Sequence, residues 1–477
     1  MKLIYNVNDK PKFPQLVVFA LQQLLAIMAA TLVVPIIVSN PEVPYGCGEV
    51  SMSPAAALFG AGVGTLVYLL FTLRKSPVFL GSSFAFLGSM GAAFAGASTV
   101  ALGYLGLILG AILAGLVYVV IAIIVKFAGV NWLNKLMPTI VIGPTVSLIG
   151  LSLAGNAVGD LQKSDGGASV YLCLLCGLVT LFVTILCSTF GKKIVKLIPF
   201  ICGIGAGYVL ALIFTIIGIA TNNDTLQLIS FAPFTALLTD GAVTVNTFVG
   251  LPQFTFLEAL GGFKSIDASY IVTLIAAYVP VAFVVFAEHV ADHKNISSII
   301  EADLLEDPGL HRTLLGDGVG SMVGSLFGGC PNTTYGESVG CVAITGNASI
   351  VTIFASAIGA ILISFLSPFV AFIDSIPPCV MGGVCVALYG FIAVSGLKMI
   401  QEVDLGENKN LFVVSTILIT GVGGLSLSFN IPGFGAITFT TIACSLILGI
   451  IVNIMLNSKD KKSGEEKVEK AEEKAEN

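Results

Sequence analysis

The chain has 477 residues, of which 56% are hydrophobic and only 10% charged, and its net charge is -6. Soluble domains carry charge on about a quarter of their residues and rarely grow one core beyond about 250 to 300 residues. A water-soluble globular protein and a basic nucleic-acid-binding surface are therefore excluded, and the bilayer is the main solvent of this chain.

A polar start, residues 1–15, precedes an apolar run from Leu16 to Ser39. That run is longer than a signal-peptide core and is expected to remain as a membrane span. Further stretches of about 20 apolar residues follow near 53–73, 79–97, 104–127, 137–155, 168–190 and 195–219. After a long polar interruption at 220–266, the series continues near 268–292, 313–329, 334–347, 350–373, 378–396, 410–428 and 434–456. Fourteen spans with an inside N-terminus put every one of the 22 Lys and Arg residues except Lys163 and Lys264 on the cytoplasmic side, as the positive-inside rule demands. Both termini are then cytoplasmic. The mixed-sign tail, 458–477, is expected to be solvated and either disordered or loosely helical.

The interruption at 220–266 divides the spans into two sets of seven, and an odd number makes the two halves enter the membrane in opposite senses. The third and tenth segments are short and broken by small residues: Gly81, Ser82, Ser83 and Gly88 in one, Pro331, Gly336 and Gly340 in the other. Paired broken helices in inverted halves point to a binding site at the bilayer midplane. The expected fold is an all-α polytopic membrane protein with short extended pieces before helices 3 and 10.

Nine of the ten cysteines lie in or beside apolar segments, so no disulfide framework is expected. Cys173 and Cys176 form a C-x-x-C inside a Leu/Val run, where packing is the ordinary reading and a metal or redox site is not assigned.

Ionisable side chains within spans are costly and call for a reason. Glu288, in VVFAEHVADH, follows the apolar run Ile271 to Ala287, although Asp292, His293 and Lys294 beyond it also suit a helix end at the interface. Glu337, in PNTTYGESVG, suits both the cap of a broken helix and a ligand contact there. Asp317 reads equally as a buried group or as part of a helix start near the cytoplasmic face. Phe84 is by default an ordinary core or lipid-facing aromatic. No Lys or Arg lies mid-span, which disfavours an anionic substrate. Carboxylates accepting from ring N–H groups, free helix N-terminal amides donating to carbonyls and an aromatic face suit a small planar neutral molecule. An intramembrane enzyme lacks support, since no nucleophile and base pair or metal-ligand set is present, and no cofactor is expected beyond the driving protons.

The run Asp307 to Thr345, which includes PNTTYGE, resembles the nucleobase/ascorbate transporter family, in particular its bacterial uracil-carrying branch. Further similarity lies in LQQLLAIMAATLVVP (21–35), YLLFTLRKSPVFLGSSFAF (68–86), AEHV (287–290) and MGGVCVALYG (381–390). The resemblance implies uracil:proton symport across the plasma membrane by alternating access, with xanthine or another oxopurine as the alternative cargo. Anion exchangers and channels of the same fold form a different class, disfavoured by the missing positive site. The resemblance also implies a core domain (16–128 and 267–373) that carries the site past a comparatively fixed gate domain (129–219 and 374–457), and a possible homodimer. Glu288 and Glu337 would hold the ring, Tyr335, Gly336 and Phe84 would line it, and Ala30 and Tyr389 would close the pocket.

This chain departs from the family pattern at Gln23 and Asp292, where histidines are common, at Ser338 in place of asparagine, and at Gly346 in place of arginine. Asp292 is one helical turn from Glu288. The two carboxyls are expected to hold one proton between them, with His289 as the next candidate for coupling; the alternative is that Asp292 already stands in cytoplasmic water.

Overall fold

The computed structural model describes residues 3–39, 45–129, 138–164, 167–192, 194–238, 242–401, 403–431 and 435–456. The expected tail at 458–477 and the charge placements at Lys2, Lys135 and Lys193 lie outside them. The chain is mostly helical. Helices α1 (Phe13–Val38), α2 (Pro54–Phe71), α3 (Leu87–Ala95), α4 (Val100–Ala128), α5 (Thr139–Asp160), α6 (Val170–Phe190) and α7 (Pro199–Thr221) form the first half. The second half comprises α8 (Ala268–Ile300), α9 (Leu310–Gly328), α10 (Gly336–Thr345), α11 (Ile350–Ile363), α12 (Pro378–Ile400), α13 (Asn408–Val422) and α14 (Thr441–Leu456). Among the described residues, eight of these helices are long and apolar enough to cross a membrane.

Local signals start the helices where sequence places them. Ser53, Thr99 and Asp267 each accept a hydrogen bond from the first turn that follows, while Pro54, Pro199 and Pro378 sit at first helical positions. Gly329 and Gly346 end α9 and α10 with φ of 71° and 66°, a conformation glycine adopts without a Cβ penalty.

The third and tenth segments each begin as a strand. β1 (Leu80–Ser82) pairs antiparallel with β2 (Asn332–Thr334), Gly81 opposite Thr333. The pairing is extended by Ser83 N–H donating to the Pro331 carbonyl and Tyr335 N–H donating to that of Phe79. Two features differ from the sequence expectation. The segment expected at 350–373 is α11 followed by a separate short helix, Ser367–Asp374, which begins at a Ser-Pro pair. Those expected at 410–428 and 434–456 shorten to α13 and α14, because β3 (Leu427–Ile431) and β4 (Gly435–Phe439) form an antiparallel hairpin between them. Its β-branched and aromatic residues read as continuous apolar sequence, and hydropathy alone does not separate a strand from a helix there.

Helices α2, α4, α9 and α11 pack together, with α1 against α2 and α11 and α8 against α4. Helices α5, α6, α7, α12 and α13 pack among themselves, while β4 lies against α8. The closest contact, between α2 and α9, is seamed with glycine: Gly316, Gly320, Gly324 and Gly328 recur every fourth residue on α9 and face Tyr68, Gly64, Gly60 and Ala57 on α2. A methyl on Gly60 would stand 2.3 Å from the Gly324 carbonyl oxygen, and one on Gly64 2.7 Å from that of Gly320. Such small-residue stripes let helix backbones approach closely in lipid, where dispersion contact replaces the hydrophobic drive.

On the face that carries the N-terminus, the chain's first residues bridge to the turn after α10. Ile4 and Tyr5 N–H groups donate to the Gly346 carbonyl, Ala348 N–H donates to that of Tyr5, and Ser349 Oγ donates to that of Asp9.

Gly324→Leu is expected to destabilise the protein by at least the 1 to 3 kcal/mol typical of an overpacked core, seen as loss of the monodisperse peak on size exclusion in detergent. Gly205→Leu on α7, where a side chain meets nothing within 4 Å, should leave that peak intact.

Candidate functional site

Because β1 and β2 meet in the interior, the segments that follow them, a 3-10 turn at Phe84–Phe86 leading into α3 and helix α10 from Gly336, begin at the same place. Helix N-termini leave backbone N–H groups unpaired and carry partial positive charge. A cavity of about 380 Å³ lies against these two starts. Its wall on this side is Ser83, Phe84, Thr333, Thr334, Tyr335, Gly336 and Glu337, and α8 contributes Glu288, Ala291 and Asp292. The opposite wall is mostly apolar and comes from α5, α7 and α12, including Val146, Phe200, Phe391 and Met399. No Lys or Arg is among the described lining residues.

Glu288 and Asp292 stand one turn apart on α8 and both face the cavity. Thr334 Oγ1 donates to Asp292 Oδ2 at 2.9 Å, which ties α8 to the end of β2. Asp292 therefore belongs to the cavity wall, not to open water beyond a helix end. Tyr335 is buried with its hydroxyl donating to the Ser82 carbonyl at 2.6 Å. Its ring fills the space over Gly81, where a Cβ would come within 2.4 Å of it, so this glycine is required by close approach.

Three of the sequence-derived positions sit elsewhere. Tyr389 is buried behind Phe84, the two rings edge to face at 5.9 Å. Ala30 is buried within α1 and is not part of the cavity lining. His289 points away from the cavity, its Nδ1 2.7 Å from Asp317 Oδ2 and its Nε2 3.0 Å from Thr313 Oγ1. Asp317 is thus fully buried inside α9, and of the two readings open to it in sequence the buried one holds. His293 stacks on His289 at 4.0 Å and lies 2.7 Å from the Tyr68 hydroxyl. These pairs hold α8 against α9 and α2 from behind.

Sequence reasoning did not single out the apolar wall, since nothing distinguishes Val146, Phe391 or Met399 from any other residue of an apolar helix. It named Gln23 and Ser338 as separate departures, whereas they form one contact. Gln23 Nε2 donates to Ser338 Oγ, which also accepts the Phe79 N–H at 2.9 Å. This buried junction joins α1, the approach to β1 and the first turn of α10, directly beside Glu337.

Two broken helices meeting at a polar cavity inside an apolar helical bundle fit a multi-pass membrane transport protein, and the family and relatives that the chain matches are permeases, not enzymes. The chain matches Xan_ur_permease, described as a permease family, over residues 14–428. It belongs to this family, the nucleobase/ascorbate transporters. It is 36% identical to the uracil permease of Bacillus caldolyticus over 458 residues, 95% of each chain, and 36% identical to that of Bacillus subtilis (strain 168) over 470 residues, again 95% of each. The uracil permease of Escherichia coli (strain K12) is 34% identical over 453 residues, 94% of each chain. Among solved structures, the transmembrane domain of the cyanobacterial bicarbonate transporter BicA aligns with a TM-score of 0.54 at 14% identity, covering 94% of this chain and all of that one. Murine Slc26a9, an anion transporter in the inward-facing state, aligns with 0.62 at 10% identity, covering 95% of this chain and 69% of that one. These two share the fold.

Gln23→Leu removes one neutral hydrogen bond and is expected to raise the substrate KM about 2- to 10-fold, the equivalent of about 0.5 to 1.5 kcal/mol. Ser338→Ala leaves two buried donors without an acceptor and should raise it further. Uptake kinetics normalised to surface protein read both.

Proposed function

We propose that the protein is a uracil:proton symporter. The observation that carries this reading is a cavity lined by three carboxyl groups, aromatic rings and two helix N-termini, with no Lys or Arg among the described lining residues, in a chain 34 to 36% identical along its length to uracil permeases. Uracil offers ring N–H donors and carbonyl acceptors in one plane. Glu288 and Glu337 accept from its N–H groups, the free amide at Gly336 donates to a carbonyl, the Tyr335 amide being engaged by Phe79, and Phe84 packs on the ring face. An anionic cargo would meet three carboxyl groups in the lining, with only partial helix-end charge and no described Lys or Arg to offset them.

The proton is assigned to the Glu288 and Asp292 pair. Their spacing on α8 and the Thr334 hydrogen bond to Asp292 support this, since Thr334 ends the strand that leads to the substrate-binding amide. His289, held by Asp317 and Thr313 away from the cavity, has the weaker claim. Helices α1–α4 with α8–α11 act as a core domain carrying the site past a gate domain of α5–α7 and α12–α14, which supplies the apolar wall. The protein resides in the plasma membrane with the N-terminal face cytoplasmic, as the Lys and Arg distribution supports. The exposed apolar faces of α6 and α7, with Phe182, Ile185, Val209 and Ile216, suit lipid contact or a homodimer.

Uptake of labelled uracil in permease-deficient cells tests the cargo, with xanthine, adenine, uridine and chloride as competitors. Uracil should compete best, and uptake of xanthine without uracil would overturn the assignment. Glu288→Gln and Glu337→Gln should each lose about 1.5 to 3 kcal/mol of binding, a charged hydrogen bond, and nearly abolish uptake while reaching the membrane. Phe84→Ala should lose about 0.5 to 1.5 kcal/mol.

Asp292→Asn should still bind uracil but lose accumulation driven by an imposed inward proton gradient. Gradient-driven accumulation with unchanged pH dependence in that variant would place the coupling elsewhere.

A further inference from the structure

The connection between α7 and α8, although more polar than the spans it joins, has from Gln227 onward a composition unlike that of a loop in water. From Gln227 to Ile266 only Asp240, Glu258 and Lys264 are charged, where surface loops are ordinarily polar. Its large apolar residues are also turned outward. Leu251 is 82% exposed and Val245 78%, and Phe248, Leu257, Leu260 and Phe263 are each more than half exposed.

The segment is nevertheless firmly seated. Gly250 N–H donates to the Phe365 carbonyl, Ser367 N–H donates to that of Phe248, and Val249 bridges to Leu366. Phe254 and Phe256 pack into an aromatic cluster with Phe59 of α2 and Phe327 of α9. Gly262 lies so close to Ala101, in the first turn of α4, that a Cβ would meet its carbonyl oxygen at 2.6 Å. The segment thus rests on the start of α2, the start of α4, the end of α9 and the end of α11, which all lie on one face. Those ends mark the edge of the hydrocarbon layer. The outward apolar surface is also continuous with that of the spans, since Leu326, Leu362 and Leu366 are exposed beside it.

We propose that residues 244–263 form a membrane-interface element, with its apolar side in the headgroup and acyl boundary of the leaflet on that face. An apolar surface that is nearly free of charge, level with the span ends and joined to their lipid-facing residues, is stabilised there by burial in the interface. Because the element is fixed to α2, α4, α9 and α11, it belongs to that helix group and moves with it.

The full chain is tested with its single tryptophan removed (Trp132→Phe) and a new one introduced by Leu251→Trp or, separately, Leu260→Trp. Each protein is reconstituted in phosphatidylcholine liposomes brominated either near the carbonyl end of the acyl chain or near its methyl end. The expected result at both positions is at least a twofold loss of emission with bromine near the carbonyl end, a smaller loss with bromine near the methyl end, and weak quenching by aqueous iodide. Strong iodide quenching without any effect of brominated lipid would place the loop in water and overturn the proposal. Protection from both quenchers would mean that protein covers this face, and would overturn it as well.

Discussion

A backbone N–H or C=O within a bilayer must find its partner inside the protein, yet the third and tenth segments of this chain are not helical where they enter the interior. The structure meets that constraint by pairing the two irregular pieces with each other. β1 supplies partners for β2, and the carbonyls of Phe79 and Pro331 take the next N–H at each end. The site follows from this pairing. Each of the paired strands leads into a helix start, so two sets of helix-end N–H groups come together at the same cavity. The glycine seam between α2 and α9 serves the same end, since bulkier residues would hold apart the helices that enclose the strands.

The polar groups divide into two layers by their partners. Glu288, Asp292 and Glu337 face the cavity, whereas His289, His293, Asp317, Thr313 and Tyr68 bond to one another behind α8. The second layer fixes how α8 is rotated, and that rotation decides which of its residues reach the cavity. Positions 288 and 292 turn inward because 289 and 293 are held by α9 and α2. Side chains that never touch the cargo thereby set the geometry of those that would.

Much of this was legible in the sequence, for identifiable reasons. A carboxylate inside an apolar run is rare enough to mark itself, and small residues within a short span announce a broken helix; Glu288, Glu337 and both extended pieces were visible on those grounds. The apolar wall was not, because its residues differ from ordinary span residues only in which way they face, and that is set by tertiary packing. The β3 and β4 hairpin was hidden by an apolar composition that fits a strand or a helix. The Gln23 and Ser338 contact was hidden by distance along the chain, since two unrelated departures become one hydrogen bond only after α1 and α10 are side by side. Ala30 and Tyr389 came with the resemblance, and they lie behind the lining rather than in it.

The seam between the chain's beginning and the turn after α10 bears on how such a protein is made. Asp9 and Ser349 meet across 340 residues, and β1 likewise stays without its partner until β2 has been synthesised. A ribosome delivers these pieces in order, so the first strand and the first residues leave the exit tunnel long before anything exists for them to bond. Assembly of this half of the molecule is therefore a late event, completed only after the tenth segment has entered the bilayer. Until then the open edge of β1 must be sheltered by water, by the insertion machinery or by its own neighbours.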